Sequence, residues 1–67
     1  MAEKHKCPVC NELTLDEERN YDVCDNCWWE DDPYQFENPD YKGGANKLSL
    51  NEAKEKFNAG EDLREYN

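Results

Sequence analysis

Two Cys-x-x-Cys pairs constrain this chain more than any other feature of its 67 residues. Cys7 and Cys10 form the first pair, Cys24 and Cys27 form the second, and thirteen residues separate the pairs. Two residues between cysteines let both sulfurs of a tight turn point toward one tetrahedral ion, while backbone N–H groups of that turn can donate to the thiolates. We therefore predict one metal site with these four cysteines as ligands.

The rest of the composition indicates that folding depends on such a site. Hydrophobic residues are 36% of the chain, four of them cysteines, and 17 acidic residues against eight basic ones give a net charge of −9 at pH 7. A chain this short and polar buries too little apolar surface to offset its conformational entropy. Small domains of this kind are stabilised by disulfides or by a structural metal, and zinc contributes about 10–16 kcal/mol in small peptides.

The choice between metal and disulfides depends on the compartment. No apolar stretch of the kind found in a secretory signal precedes Cys7, and no window approaches the roughly 20 apolar residues of a membrane span. We expect a soluble, cytoplasmic, monomeric protein, in which thiols stay reduced and cysteines bind metal. Two disulfides in a mature secreted form are an alternative. A thioredoxin-like redox enzyme is disfavoured because 67 residues are too few for its scaffold.

We expect a single domain over residues 1–67, with a small metal-stabilised α+β fold. Residues 7–27 are predicted to form a zinc-ribbon β-hairpin, in which the alternating runs 13–15 and 21–23 pair across a polar loop. The two Cys-x-x-Cys turns, here called knuckles, meet at its base. Residues 28–47 hold five of the eight aromatic residues. They are predicted to form an ordered acidic and aromatic loop that is mostly coil.

Residues 48–60 are predicted to contain the one C-terminal helix, which has the clearest start signal in the chain. Ser49 and Glu52 form a capping box, and a following glycine ends the helix, so that it covers about 50–59. The tail, 61–67, has few anchoring side chains and is expected to fray. The helix presents a narrow apolar face at helical spacing, formed by Leu50, Ala53 and Phe57.

The cysteine set also predicts what the metal does. Four protein sulfurs close the coordination sphere and leave no position for water or substrate, so we expect a structural zinc ion and a non-enzymatic protein. Iron is the alternative, because four thiolates also suit a rubredoxin-like electron carrier. His5 is interpreted as a tail residue and not as a ligand. The acidic run 30–32 lacks the spacing of an EF-hand loop and is interpreted as a solvated turn, or as a cap before Pro33.

The negative charge predicts the class of partner. Nucleic-acid binding needs clustered Lys and Arg to displace counterions, whereas an acidic protein is attracted to basic surfaces. We predict a basic protein partner, with a toxin-immunity or regulatory role as a special case. Adjacent tryptophans in an extended segment face opposite sides, so one is expected in the core and the other at the surface. The predicted partner surface consists of Trp28, Trp29, Glu30, Asp31 and Asp32.

The order of short motifs is distinctive. From residue 7 to about 57 it runs through Cys7-Pro8-Val9-Cys10, Leu13-Thr14-Leu15, Cys24-Asp25-Asn26-Cys27, Trp29-Glu30-Asp31-Asp32, Asn38-Pro39-Asp40-Tyr41, Gly43-Gly44-Ala45-Asn46 and Leu48-Ser49-Leu50-Asn51-Glu52-Ala53. This order resembles the cysteine-rich CPCC family of small bacterial zinc-ribbon-like proteins. Val9 replaces the third cysteine of the family name, and Asn11 stands where such turns often carry glycine, but neither change removes a predicted ligand. The resemblance implies the fold and the metal, and it leaves 43–46 either as a structural turn or as a binding loop.

Overall fold

The first knuckle is the turn of a small antiparallel hairpin. The computed structural model describes residues 3–66. Strand β1, His5–Lys6, pairs with strand β2, Leu13–Leu15, and His5 lies opposite Leu15. Within the turn, the Cys7 N–H donates to the Glu12 carbonyl at 2.9 Å. Asn11 has a φ of 64°, a left-handed conformation that asparagine adopts more readily than most residues. Asparagine can therefore replace the glycine expected here.

The strand pairing predicted from the sequence is wrong. β2 pairs with the segment before the first knuckle, and the run 21–23 contributes only an isolated bridge, between Val23 and Glu30. That bridge closes the second knuckle, where the Cys24 N–H donates to the Trp29 carbonyl at 2.9 Å. Each knuckle thus has its own short hairpin. The reason is local: each Cys-x-x-Cys turn reverses the chain by itself, while left-handed backbone at Tyr21 (φ 60°) interrupts the predicted second strand.

A short helix interrupts the segment that was predicted to be mostly coil. Helix α1 spans Pro33–Glu37, with proline in its first turn, where a missing N–H costs nothing. Asp32 is its N-cap, and its carboxylate accepts hydrogen bonds from Tyr34 N at 2.8 Å and from Gln35 N at 3.4 Å. The interpretation of this acidic run as a cap before Pro33 is therefore confirmed for Asp32.

The C-terminal helix follows the sequence prediction closely. Helix α2 spans Leu50–Asn58, against the expected 50–59. Its capping box is present, with Glu52 N donating to Ser49 Oγ and Ser49 N donating to Glu52 Oε1, both at 3.1 Å. Beyond it, a 3₁₀ helix over Leu63–Glu65 buries Leu63 in the core. The tail is thus anchored in the described part of the chain, contrary to the fraying expected, and Asn67 lies outside the described residues.

The apolar core is small and is built around the sulfurs. Trp29 is fully buried and is the largest side chain in it, while Phe57 of α2 is partly buried against the same cluster. This places one of the two tryptophans in the core, as predicted. The buried members of the cluster are Cys7, Val9, Leu15, Cys24, Cys27, Trp29, Leu50, Ala53 and Leu63.

A second buried region is held by amide groups. Gln35 of α1 and Asn46 are both buried, and Gln35 Oε1 accepts from Asn46 N at 3.1 Å and from Asn46 Nδ2 at 2.9 Å. Asn46 also exchanges hydrogen bonds with the backbone of Glu30, at 3.0 Å and 2.8 Å. Gly44 packs so closely that an added Cβ would lie 2.6 Å from Asp32 Oδ2. Segment 43–46 is therefore fixed to the rest of the fold through Gly44 and Asn46.

Within residues 3–66, none of the helices combines the length and the apolar character that a bilayer crossing needs.

Candidate metal centre

The four cysteine sulfurs converge on one point between the two knuckles. All four Sγ atoms lie within 4.8 Å of one another; Cys7 and Cys27 approach to 3.4 Å, and Cys10 and Cys24 to 3.7 Å. Sulfurs bound at 2.3 Å to a tetrahedral ion would be about 3.8 Å apart, because a tetrahedron's edge is about 1.63 times its centre-to-vertex distance. The cysteines are therefore positioned to bind a metal ion, as predicted.

The site is largely closed to solvent. Cys7 and Cys24 are fully buried, Cys27 is 2% exposed, and only Cys10 is half-buried. Each knuckle contributes one pair of sulfurs, and the closest contacts join sulfurs of different knuckles. An ion at this point would therefore connect two hairpins that are each closed by their own backbone hydrogen bonds.

Hydrogen bonds to sulfur favour the thiolate form that metals require. Cys24 Sγ accepts from the backbone N–H groups of Asn26 and Cys27, at 3.3 Å and 3.4 Å, and Cys7 Sγ accepts from Val9 N at 3.5 Å. Such donors are usual in Cys-x-x-Cys turns and were expected from the sequence. They hold the sulfurs in orientation and offset negative charge.

One side chain also donates to a sulfur, and the sequence analysis missed it. The hydroxyl of Thr14, in β2, lies 2.9 Å from Cys24 Sγ and donates to it. Because β2 follows the first knuckle directly, this bond joins the first hairpin to a ligand of the second. The sequence offered one signal for this contact, the alternation of side chains along a strand. It places Thr14 on the face opposite to its buried neighbour Leu15.

The sulfurs differ in proton affinity. A hydrogen bond from the Cys27 thiol, with help from backbone N–H groups, lowers the pKa of Cys7 to about 6. The same shared proton, together with burial, raises the pKa of Cys27. Burial also raises the pKa of Cys10. Because a metal binds thiolates, it must displace protons from these cysteines, and its binding is expected to weaken in acid.

His5 lies in β1, with Nδ1 3.2 Å from a carboxylate oxygen of Glu18. Within residues 3–66, the group of metal-binding side chains gathered at one point consists of the four cysteines alone. The acidic run 30–32 forms no such group there.

The predicted partner surface requires a correction. Trp29 and Asp31 are fully buried and Asp32 is 5% exposed, so none of the three is available to a partner. Trp28 is 38% exposed and Glu30 is half-buried. Asp32 instead caps α1, which was the alternative interpretation of this run, and Asp31 binds a distant arginine that the sequence did not indicate.

That arginine is Arg19, in the loop between the knuckles. Its Nη1 donates to both oxygens of Asp31, at 3.0 Å and 2.9 Å, and its guanidinium lies 3.5 Å from the centre of the Phe36 ring. Arg19 therefore contacts both Asp31 and the aromatic ring of Phe36. A pairing across twelve residues has no local sequence signal.

Trp28 marks a cleft beside the metal centre. Its backbone is left-handed, with a φ of 68°. The guanidinium of Arg64 lies 4.9 Å from its ring, and Asp62 binds that guanidinium, with an oxygen 2.7 Å from Nη2. The exposed tryptophan is thus partly covered by a cation from the chain's own C-terminal 3₁₀ helix.

No curated protein matches the chain. A family model described as Cysteine-rich CPCC matches residues 5–61, which include both knuckles, both helices and the turn at 43–46. This match confirms the resemblance and extends it at both ends. The chain belongs to the cysteine-rich CPCC family.

Proposed function

We propose that this protein is a non-enzymatic module in which one structural zinc ion, bound by Cys7, Cys10, Cys24 and Cys27, stabilises the fold, and whose acidic surface binds a basic protein partner. The convergence of four sulfurs within 4.8 Å supports the metal part most directly. Four protein ligands fill a tetrahedral sphere, so the ion has no open position for a water molecule or a substrate. This supports a structural ion over a catalytic one.

Zinc and iron both suit this donor set. Closed four-cysteine sites in small domains are typical of structural zinc. A structural ion is also expected because the small apolar core alone gives too little stability. The alternative is a rubredoxin-like carrier with iron bound by the same four sulfurs. The measurement that separates them is metal analysis of the purified protein together with its visible spectrum. We expect one zinc per chain and no visible absorption. A coloured protein with one iron per chain would refute the zinc module and favour the electron carrier.

The role of the ion is tested by substitution. Cys24→Ser removes a buried ligand that also accepts three hydrogen bonds, and we expect loss of stoichiometric zinc and of native amide dispersion in NMR spectra. Leu13→Ser is the matched control, because Leu13 is adjacent to the site in sequence but 61% exposed. A Cys24→Ser protein that stayed folded and equally stable without metal would contradict a structural ion.

Charge supports the choice of partner. The net charge is −9, and at least five of the eight basic residues already pair with carboxylates within residues 3–66. Little positive surface is therefore left for phosphates, whereas cationic proteins would be attracted. A basic toxin and a basic regulatory protein both have this chemistry. The basic residues already paired are Lys4, Arg19, Lys42, Lys56 and Arg64.

The partner proposal is tested by capture from a lysate at two salt concentrations, followed by identification of the captured proteins. We expect basic proteins to bind at low salt and to be released at high salt, because exposed charges are screened over about 10 Å at 0.1 M and over less at higher concentrations. Capture that does not respond to salt, or that selects nucleic acid or acidic proteins, would refute recognition through negative charge.

A further inference from the structure

A second cleft lies on the surface formed by the end of α1 and the turn that follows it. Its volume is about 410 Å³. It is separate from the metal ligands and from the cleft beside Trp28. Two of its lining residues are tyrosines, two are acidic, and none is basic: Tyr34, Glu37, Asn38, Pro39, Asp40 and Tyr41.

The two tyrosine rings are exposed and set at a right angle. Tyr34 is 57% exposed and Tyr41 is 44% exposed, while their ring centres are 4.8 Å apart with an angle of 81° between the ring planes. Two aromatic faces at this angle can contact one cation from two directions. Cations are attracted to aromatic faces by the ring quadrupole.

The backbone under these rings is well fixed. Asn38 donates to the Tyr34 carbonyl from its N–H and its side-chain amide, at 2.9 Å and 3.0 Å. Tyr41 N donates to the Asn38 carbonyl at 2.9 Å, and the Tyr41 carbonyl accepts from the buried amide of Gln35 at 3.1 Å. The cleft therefore requires little ordering of its backbone on binding, which favours affinity.

The acidic residues make the cleft negatively charged. Glu37 and Asp40 add two carboxylates, and Asn51 Nδ2 donates to one oxygen of Asp40 at 2.9 Å. An anionic ligand would be repelled, and a purely apolar ligand would leave the carboxylates desolvated without a partner. Aromatic rings with carboxylates suit a side chain that has an apolar stem and a cationic end.

The same chemistry is already used within the chain. Three other aromatic rings have a cation of the protein near them: Arg19 at Phe36, Lys56 at Tyr66 and Arg64 at Trp28. Within residues 3–66, no such contact is made to Tyr34 or Tyr41. Their rings contact each other, and both residues remain exposed.

We propose that this cleft binds a lysine or arginine side chain of the basic partner. The inference rests on the proposed function and adds the location of recognition, which moves from the segment 28–32 to the surface between Tyr34 and Tyr41. The cationic end would lie against the faces of the two rings, where the carboxylates of Glu37 and Asp40 add attraction, and the aliphatic stem would lie along the wall of the cleft.

The proposal is tested with hexa-lysine and hexa-arginine peptides, and with hexa-glutamine as the neutral reference, titrated into the purified metal-loaded protein at low salt. Affinity is measured by calorimetry, and the site is located by shifts of the tyrosine ring protons in NMR spectra. We expect the Tyr34→Ala, Tyr41→Ala double variant to bind the basic peptides roughly tenfold more weakly. Tyr21→Ala is the matched control, since Tyr21 is 55% exposed outside the cleft.

The charge requirement is tested separately. The Glu37→Gln, Asp40→Asn double variant keeps the shape of the cleft and the acceptor for Asn51, and we expect weaker binding with a smaller dependence on salt. Glu55→Gln, a substitution of an exposed acid on α2, should leave the affinity unchanged. Metal content and circular dichroism of each variant establish that it is folded.

The outcomes separate this inference from the proposed function. If the wild-type protein binds basic peptides and both cleft variants bind them equally well, the location is wrong while basic recognition stands. If the wild-type protein binds none of the peptides, or binds hexa-glutamine as tightly, basic recognition itself is refuted. Self-association that the tyrosine substitutions abolish would instead assign the cleft to a second copy of the chain and overturn the inference.

Discussion

Replacing Thr14 by valine tests whether the hydroxyl that reaches across the two hairpins contributes to metal binding. Valine has nearly the same shape and also suits a strand, so the change removes the 2.9 Å hydrogen bond to Cys24 Sγ with little effect on packing. The predicted result is weaker metal binding by a protein whose fold is unchanged.

The expected loss follows from the charge of the acceptor. A hydrogen bond to a charged group contributes about 1.5–3 kcal/mol, and about 1.4 kcal/mol corresponds to a factor of ten in affinity. Loss of a partner that orients a ligand typically weakens metal affinity by about 10–100-fold. Thr14 is only partly buried, so water can replace part of the bond, and we expect about a tenfold loss.

The assay is competition for zinc between the protein and a chromophoric chelator under reducing conditions. Thr14→Ser retains a hydroxyl and should bind zinc close to the wild-type affinity, while circular dichroism reports whether Thr14→Val is folded. A zinc affinity of Thr14→Val within about twofold of both Thr14→Ser and wild type would refute the assigned role of this hydrogen bond.

Three further substitutions test the rest of the fold. Gly44→Ala places a Cβ 2.6 Å from Asp32 Oδ2 and should lower the free energy of unfolding by about 1–3 kcal/mol in denaturant titrations; an unchanged midpoint would contradict the close packing described. Asp31→Ala leaves Arg19 without its buried partner and should lower the free energy of unfolding by about 2 kcal/mol in the same titrations. This is below the usual range for buried pairs because the Arg19 side chain is 27% exposed. Equal stability would contradict a contribution from the pair. A hydrogen bond from the Ser49 N–H, and next one from Lys42, lower the pKa of Glu52 from its ordinary value of 4.5. The stabilisation by the Glu52 carboxylate is therefore present above pH 4.5 and is lost as the pH falls through the lowered pKa. Glu52→Gln should therefore show a flatter decline of stability than wild type as the pH falls below 4.5, and parallel declines would contradict this.

The parts of the structure that have strong local signals were predictable. The Cys-x-x-Cys spacing identified four residues that do converge, and the capping box located the start of α2 at Leu50. Both signals depend on residues within a few positions of each other, where chain geometry leaves few alternatives.

The errors concern contacts between distant segments. The pairing of β2 was predicted wrongly because an alternating run indicates a strand but not the strand with which it pairs. The true partner, β1, has only two residues, too few to show a pattern. Helix α1 was missed because five residues are too few for a periodic pattern, although Asp32 before Pro33 was a valid start signal. Asp31 was interpreted as solvated because its partner, Arg19, precedes it by twelve residues.

The buried amides divide the protein into regions with different chemical sensitivities. Gln35 and Asn46 carry no titrating group, so their hydrogen bonds are indifferent to acid, to chelators and to oxidants, whereas the knuckles depend on deprotonated, reduced sulfur. Chelators and oxidants would therefore loosen the knuckles before the segment around α1. Asn46 makes two hydrogen bonds to the backbone of Glu30, which in turn bridges to Val23 beside the second knuckle, and so connects that knuckle to this region.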